Sequence, residues 1–236
     1  MKKIVFCLLC SFISIETNAQ SLIGAWERVY TSEDGENLRN VLVFSEKHQV
    51  FTTYNADSGE FISTVGGSWK LDDNTITEEV EFNSANPEKV GSKSSFQVVI
   101  NDSIIEFEGS NVKMKRIDNG TPGQLQGAWL MSGRIKDRKM EIRNTETPRK
   151  TMKILSGTRF QWIAYNTETK KFMATGGGTY TTKDGVYTEN IEFFSRDNSK
   201  VGLQLKFDYN LKDGNWCHLG FSTKGDPINE VWSKRK

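Results

Sequence analysis

The chain has few of the residues on which metal and disulfide proteins depend. Its 236 residues include three cysteines, two histidines and four prolines. Two histidines cannot build a multi-histidine metal site, and no Cys/His cluster has the spacing of a zinc site. The 31 basic and 30 acidic residues almost cancel, which argues against a general nucleic-acid or membrane-surface binder. We therefore expect no metal, no cofactor and no nucleic-acid partner.

The chain also lacks an apolar run long enough to cross a bilayer, which takes about 20 residues. Its longest run, 4–15, follows two lysines and precedes a small-residue site ending at Ala19. That order is typical of a cleaved signal peptide, with a retained anchor helix as the alternative. We expect residues 1–19 to be removed and the protein to be periplasmic or secreted, with no transmembrane segment. The mature chain then keeps Cys217 alone, which excludes an internal disulfide.

An internal repeat determines the domain organisation. Three motifs recur in one register at a spacing of 111 residues, which indicates a tandem duplication. The motifs are a double glycine (Gly66-Gly67, Gly177-Gly178), the pattern T-E-x-[VI]-E-F (77–82, 188–193) and Lys-Val-Gly (89–91, 200–202). We expect one barrel domain over 20–118, a linker over 119–124 and a second barrel domain over 125–236.

Each repeat contains eight short segments of strand character separated by turn residues. Eight sequential antiparallel strands in about 100 residues favour a closed up-and-down barrel, which leaves no exposed edge. The sequence therefore predicts an all-β fold of two tandem eight-stranded antiparallel barrels, whose interiors have room for side chains or one small ligand. The predicted strands are 23–30, 40–45, 48–55, 60–70, 75–83, 93–101, 103–108 and 111–117, then 126–133, 150–155, 158–166, 171–181, 186–194, 201–210, 215–221 and 229–234.

A Gly-Ala-Trp on the first strand and a Lys-Arg pair on the last resemble the lipocalin and calycin pattern. In that pattern the tryptophan closes one barrel end beneath a basic side chain of the last strand. The second repeat is similar to the lipocalin-like (calycin-like) domains of unknown function in exported Bacteroidetes proteins. The motifs that carry this resemblance are Gly176–Tyr180, Tyr187–Glu189 and Glu230–Trp232.

Alternation along the T-E-x-[VI]-E-F strand separates its two glutamates. Glu78 and Glu189 share a face with apolar neighbours, including Phe82 and Phe193, and are expected inside the barrels. A buried carboxylate needs a partner. That partner is either a group within the barrel, which is the more common case, or a ligand. The other glutamates of the motif, Glu81 and Glu192, are expected to be solvated.

Aromatic residues near these glutamates form the candidate ligand site, although ordinary core packing is the simpler interpretation for most of them. His48 is expected in a solvated turn, and Cys217 is expected to be a small buried residue. The glycines Gly176–Gly178 are interpreted as a bend or bulge. The candidates in the second barrel are Glu189, Trp162, Tyr180, Tyr187, Trp216 and His218, and those of a second site in the first barrel are Glu78, Trp69 and Phe51.

Two insertions distinguish the second repeat. The register offset grows from 103 to 111 to 119 residues, which indicates eight extra residues after the first strand and eight before the last. In an up-and-down barrel both insertions lie at the same mouth, where binding loops concentrate. The first is rich in basic residues such as Arg134 and Arg138. It is either a solvated face or a cationic lid that selects an anionic ligand.

Three functions fit these observations. The preferred hypothesis is an exported small-molecule-binding protein, whose second barrel takes an apolar or amphiphilic ligand, or an anionic one if the basic loop is a lid. An interaction module with filled barrels, directed at a protein or glycan, is the alternative. A calycin-scaffold enzyme comes third, because no catalytic motif is present. The sequence does not determine an oligomeric state.

Overall fold

The computed structural model describes residues 22–121, 123–136 and 138–235, so the signal-peptide prediction lies outside the described residues. Eight antiparallel strands form a first closed barrel, in which each strand pairs with its neighbour in sequence and the last pairs with the first. A 3-10 turn, Pro87–Lys89, follows the fifth strand. The strands are β1 (Gly24–Thr31), β2 (Asn37–Phe44), β3 (His48–Asn55), β4 (Phe61–Asp72), β5 (Thr75–Asn83), β6 (Lys93–Ile100), β7 (Ile104–Phe107) and β8 (Lys113–Asp118).

The second repeat forms a second closed barrel of eight strands, which confirms the predicted fold class. One strand, β10, was not predicted: it pairs only with β9 and extends a hairpin beyond the barrel. Among the described residues no helix has the length and hydropathy to cross a bilayer. The strands are β9 (Gly127–Lys136), β10 (Lys139–Ile142), β11 (Arg149–Leu155), β12 (Arg159–Asn166), β13 (Lys171–Lys183), β14 (Val186–Phe194), β15 (Gln204–Lys212), β16 (Asn215–Phe221) and β17 (Pro227–Lys234).

A tryptophan on the first strand closes one end of each barrel. Trp26 Nε1 donates to the carbonyl oxygen four residues earlier at 3.0 Å, and Trp129 repeats this bond at 2.8 Å. Arg116 lies 3.9 Å from the Trp26 ring centroid and Lys234 lies 5.1 Å from that of Trp129, as cation–π contacts. The expected stacking of a last-strand cation on a first-strand tryptophan is confirmed.

These contacts correct the predicted register near the C-terminus. Lys234 takes the position opposite Trp129 that Arg116 takes opposite Trp26, an offset of 118 residues rather than 119. The second insertion therefore adds seven residues. β16 and β17 are three and two residues longer than β7 and β8, whereas the turns that join each pair, 222–226 and 108–112, are equally long.

A β-bulge at each double glycine interrupts the alternation of the glutamate strand. The pairing register shifts between Gly66 and Gly67 opposite β5, and between Gly177 and Gly178 opposite β14. A Cβ atom at Gly67 would overlap the carbonyl oxygen of Glu79, so the close approach of the two backbones requires glycine. The interpretation of Gly176–Gly178 as a bulge is confirmed, and Gly66-Gly67 forms the same bulge in the first barrel.

The bulges turn Phe82 and Phe193 to the outside of their barrels. Simple alternation placed them inside, and that prediction was wrong because a bulge adds one residue to its strand. Phe82 packs against Tyr165 of the other barrel at a centroid distance of 4.7 Å, and Phe193 packs against Tyr54 at 4.9 Å. The two barrels are thus joined side by side through an apolar interface. Its buried members are Ala25, Val41, Val43, Val50, Tyr54, Phe82, Ala128, Leu130, Met152, Ile154, Ile163, Tyr165 and Phe193.

The outward glutamates of the motif bind the opposite barrel, so the prediction that they are solvated was wrong. The Tyr54 hydroxyl donates to Glu192 Oε2 at 2.7 Å, and the Tyr165 hydroxyl donates to Glu81 Oε2 at 2.6 Å. Both contacts cross the interface. They join equivalent residues, because Tyr54 and Tyr165, like Glu81 and Glu192, lie 111 positions apart. The same tyrosine–glutamate contact therefore occurs twice, once from the first barrel to the second and once from the second to the first.

An arginine completes each of these contacts. Arg235 Nη2 lies 2.7 Å from Glu81 Oε1, and Arg159 Nη1 lies 2.5 Å from Glu192 Oε2. Arg159 occupies the position that His48 occupies in the first repeat. His48 is only 5% exposed, so its assignment to a solvated turn was wrong: it begins β3 and lines the crevice between the two barrels.

The first prediction concerns the bulge. Gly67→Ala should lower the free energy of unfolding by about 3 kcal/mol, because its methyl group meets backbone that cannot move independently. Gly91→Ala is the matched control. The φ of Gly91 is +88°, but a Cβ atom there would contact nothing within 4 Å. Its only cost is therefore the unfavourable positive φ of alanine, about 1 kcal/mol. Urea denaturation measures both, and equal losses would contradict the role given to the bulge.

The second prediction concerns the interface. Tyr165→Phe and Tyr54→Phe each remove a hydrogen bond to a carboxylate and should each cost roughly 1.5–3 kcal/mol of unfolding free energy. Tyr209→Phe serves as the control, because its hydroxyl bonds the exposed Gln124. If all three variants denature at the same urea concentration, the interface tyrosines do not stabilise the pair of barrels.

Candidate functional site

The second barrel holds a cavity of about 210 Å³ at the mouth opposite Trp129. Ser222 and Thr223 of the turn between β16 and β17 contribute to its rim, so it opens at the end of the barrel where the insertions were expected. Apolar side chains form most of its wall, and four titratable side chains line it. The apolar residues are Trp162, Phe194, Leu205, Phe207, Ile228 and Trp232, and the titratable ones are Lys153, Glu189, His218 and Glu230.

Glu189 is inside the barrel, as predicted, and its partner is a lysine. Lys153 Nζ lies 2.8 Å from Glu189 Oε1, and the two side chains are 6% and 5% exposed. The ammonium also lies 5.0 Å from the ring centroid of Trp216 and 5.3 Å from that of Trp232. A buried ion pair surrounded by aromatic rings is stable only while both partners are present.

His218 and Glu230 face each other across the β16–β17 pair. His218 Nδ1 lies 3.5 Å from Glu230 Oε2, too far for a well-formed hydrogen bond. Neither ring nitrogen of His218 has a hydrogen-bond partner within the described chain, although the residue is 2% exposed. Glu230 accepts a hydrogen bond from Trp232 Nε1 at 3.1 Å. Buried polar atoms without partners are rare in folded proteins.

The surroundings determine the charge of these groups. Burial lowers the pKa of His218 to about 4, with a further contribution from the Lys153 ammonium, so the imidazole is neutral at pH 7. Burial alone would raise the pKa of Glu230, but the His218 side chain and Lys153 together lower it. The cavity wall therefore carries one lysine, two carboxylates and a neutral histidine that can both donate and accept a hydrogen bond.

The structure brings three of the predicted site residues to the cavity and places the others elsewhere. Trp162, Glu189 and His218 line it. Tyr187 and Trp216 lie beneath it, within 5.7 Å and 5.2 Å of the His218 ring centroid, and Tyr187 Oη and Trp216 Nε1 also lack partners among the described residues.

The remaining candidates serve other contacts. The Tyr180 hydroxyl donates to the carbonyl oxygen of Ser156 at 2.6 Å, at the closed end of the barrel. Arg134 pairs with Glu141 on the added hairpin, and Arg138 is exposed at its tip. None of these three side chains lines the cavity.

Sequence reasoning missed Lys153 and Glu230. Lys153 lies between Met152 and Ile154 near the apolar end of its strand. A lysine on the inward face of such a strand could have been recognised in the sequence as a partner for a buried carboxylate. Glu230 shares a face with Trp232 and pairs in register with His218, but that register depends on the length of the second insertion.

The first barrel holds a cavity of about 330 Å³ at the equivalent mouth. Phe51 and Glu78 line it, as expected, whereas Trp69 does not: its Nε1 donates to the carbonyl oxygen of Ser45 at 2.9 Å. Glu78 Oε2 accepts a hydrogen bond from Gln49 Nε2 at 2.7 Å. Burial raises the pKa of Glu78.

Strand pairing identifies the corresponding positions of the two cavities. Leu42 stands opposite Trp26 as Lys153 stands opposite Trp129. In the same way Phe107 corresponds to His218. The glutamate was kept in both copies, while the charged and imidazole side chains near it, Lys153 and His218, exist only in the second.

A further crevice of about 340 Å³ lies between the barrels. Its cationic lining residues include Lys234 and Arg235, which bond the Gln126 carbonyl oxygen and Glu81 respectively. These side chains stabilise the interface, and we assign no ligand to the crevice.

The third prediction separates the two partners of the buried ion pair. Glu189→Gln should lower the unfolding free energy by about 3–5 kcal/mol at pH 7, because it leaves the Lys153 ammonium buried without a counterion. Lys153→Leu, which copies Leu42, should cost less because a lone carboxyl can take up a proton, as the raised pKa of Glu78 indicates. Additive losses in the double variant would show that the pair is not coupled.

Comparison with known proteins matches the second barrel to a described domain family. Residues 124–236, a little less than half of the chain, match the family described as a domain of unknown function, DUF4488. No curated protein matches the chain. Residues 124–236 thus match a domain family of unknown function, and a barrel of the same fold precedes them.

Proposed function

We propose that the protein is an exported, lipocalin-like binding protein that holds one small amphiphilic molecule in the cavity of the second barrel. The cavity has apolar walls, which supply affinity, and a few polar groups, which fix orientation, as in most small-molecule sites. Its volume of about 210 Å³ is below the range of about 300–1,000 Å³ typical of drug-sized ligands. The ligand is accordingly a compact molecule.

The unpartnered imidazole of His218 is the observation that supports this proposal most directly. The ring is 2% exposed, lines the cavity and has no hydrogen-bond partner for either nitrogen within the described residues. Leaving a buried donor or acceptor unpaired costs about 1–3 kcal/mol. A ligand hydroxyl or carbonyl group would relieve that cost, so His218 and Glu230 take the role of orienting the ligand.

The charge of the cavity wall favours a neutral ligand over the anionic one suggested by the basic insertion. One lysine and two glutamates line the cavity, and the lysine is already bonded to Glu189. Several basic side chains of the insertion bond their own loop: Lys150 Nζ, for example, lies 2.7 Å from the Thr145 carbonyl oxygen. We propose binding without catalysis, in the periplasm or outside the cell.

Exposed apolar side chains on two hairpins favour a second candidate, an interaction module. Ile142 on β10 is 86% exposed and Phe221 at the end of β16 is 64% exposed. Both lie near the same mouth and could contact a protein or glycan partner. Native mass spectrometry separates the candidates: a stoichiometric macromolecule bound in place of a small molecule would support the second.

The fourth prediction tests the cavity with three probes of similar shape: benzyl alcohol, benzoate and benzylamine. Tryptophan fluorescence should report binding, because Trp162 and Trp232 line the cavity. We expect benzyl alcohol to bind more tightly than benzoate. His218→Phe, which copies Phe107, should weaken alcohol binding about tenfold through the loss of one hydrogen bond.

Thermal unfolding of His218→Phe is the control, since the melting temperature should stay equal or rise when the unpartnered nitrogens are removed. Preferred binding of benzoate, or unchanged alcohol binding by the variant, would contradict the proposal. Chemical conversion of a bound molecule would instead favour the calycin-scaffold enzyme.

A further inference from the structure

We propose that the first barrel is a separate binding site for a primary amine with an apolar tail, whose ammonium group pairs with Glu78. The cavity is about 330 Å³ in volume and Glu78 lies in its wall. Within the described chain no lysine, arginine or histidine lines this cavity, and Gln49 supplies the one side-chain hydrogen bond to the carboxylate.

The second barrel contains the ammonium–carboxylate pair that the first barrel lacks. There the Lys153 ammonium lies 2.8 Å from the equivalent carboxylate, Glu189. Leu42 occupies the corresponding position in the first barrel and provides no charge. An ammonium group brought by a ligand would therefore take the place that the lysine side chain fills in the duplicated copy.

The remaining wall suits an apolar tail. His218 and Thr151 of the second cavity correspond to Phe107 and Asn40, and only Phe107 lines the first cavity. Phe51, Phe96 and Phe107 form an aromatic side of the cavity, and Phe96 is 39% exposed at its mouth. Aromatic faces attract cations as well as apolar chains.

Two further polar features match an amine. Gln49 Oε1 is buried and has no hydrogen-bond partner within the described residues, so it can accept a bond from an ammonium hydrogen. The exposed Glu108 lies at the rim and adds negative potential at the entrance. An ammonium group has three donors, which Glu78 and Gln49 can share.

The carboxyl group makes the binding depend on pH. Burial raises the pKa of Glu78, so the empty site holds a proton over part of the pH range above its ordinary value. A cation stabilises the ionised form and expels that proton. Amine affinity should therefore increase as the pH rises from about 5 to 7.5, while a neutral analogue shows no such trend.

The fifth prediction uses n-hexylamine, 1-hexanol and hexanoate, which share one tail, in calorimetric titrations of the whole protein. We expect hexylamine to bind at least tenfold more tightly than hexanol at pH 7.5. Glu78→Gln should remove this preference. Leu42→Lys, which installs the lysine of the second barrel, should abolish amine binding by filling the site.

The control is Glu230→Gln, which alters the second cavity and should leave hexylamine binding unchanged. The result therefore does not depend on the function proposed for the second barrel. Hexanol or hexanoate binding as tightly as the amine would overturn the proposal, as would a preference that survives Glu78→Gln. If Glu78→Gln does not fold, amine binding retained by Leu42→Lys would overturn it equally.

Discussion

The bulge at the double glycine is the constraint on which the architecture depends. Without it, one face of the glutamate strand would point to the barrel interior throughout and the other would remain in water. The added residue turns Phe82 and Phe193 outward, next to glutamates that already point that way. One strand then supplies a carboxylate to the interior and a Phe–Glu pair to the other barrel. The interface is a consequence of this irregularity, which both copies of the repeat contain.

The two copies of the repeat have been preserved differently at their surfaces and in their interiors. The interface keeps the same tyrosines, glutamates and phenylalanines in both, because each half must complement the other. Inside the barrels the glutamate and the phenylalanine at Phe96 and Phe207 are shared, but the partner of the glutamate changes from Gln49 to Lys153. A rigid, shared exterior allows the interiors to differ without loss of the fold, which is why one chain can hold two cavities of different chemistry.

The strands, the barrels and the interior glutamates could be predicted from the sequence because alternation and repetition are local signals. The positions of Phe82, Glu81 and their counterparts could not be predicted. A bulge reverses the alternation of inward and outward residues after it, and an outward residue is predicted to be in solvent unless a second barrel is known to cover it. His48 was misplaced for the same reason. Lys153 was missed because it is separated from Glu189 by 36 residues in the sequence. Whether the two side chains meet depends on how the strands are arranged around the barrel.

The contacts between Tyr54 and Glu192 and between Tyr165 and Glu81 are reciprocal, and Phe61 stacks on Phe172, the same residue of the other copy, at 5.9 Å. Reciprocal contacts with like residues meeting at the centre are the pattern of a twofold symmetric homodimer. The two barrels of the chain thus resemble the subunits of such a dimer joined in one polypeptide. Linking the two barrels makes their association independent of protein concentration. It also allows a mutation to occur in one barrel alone, whereas in a homodimer every mutation appears in both subunits.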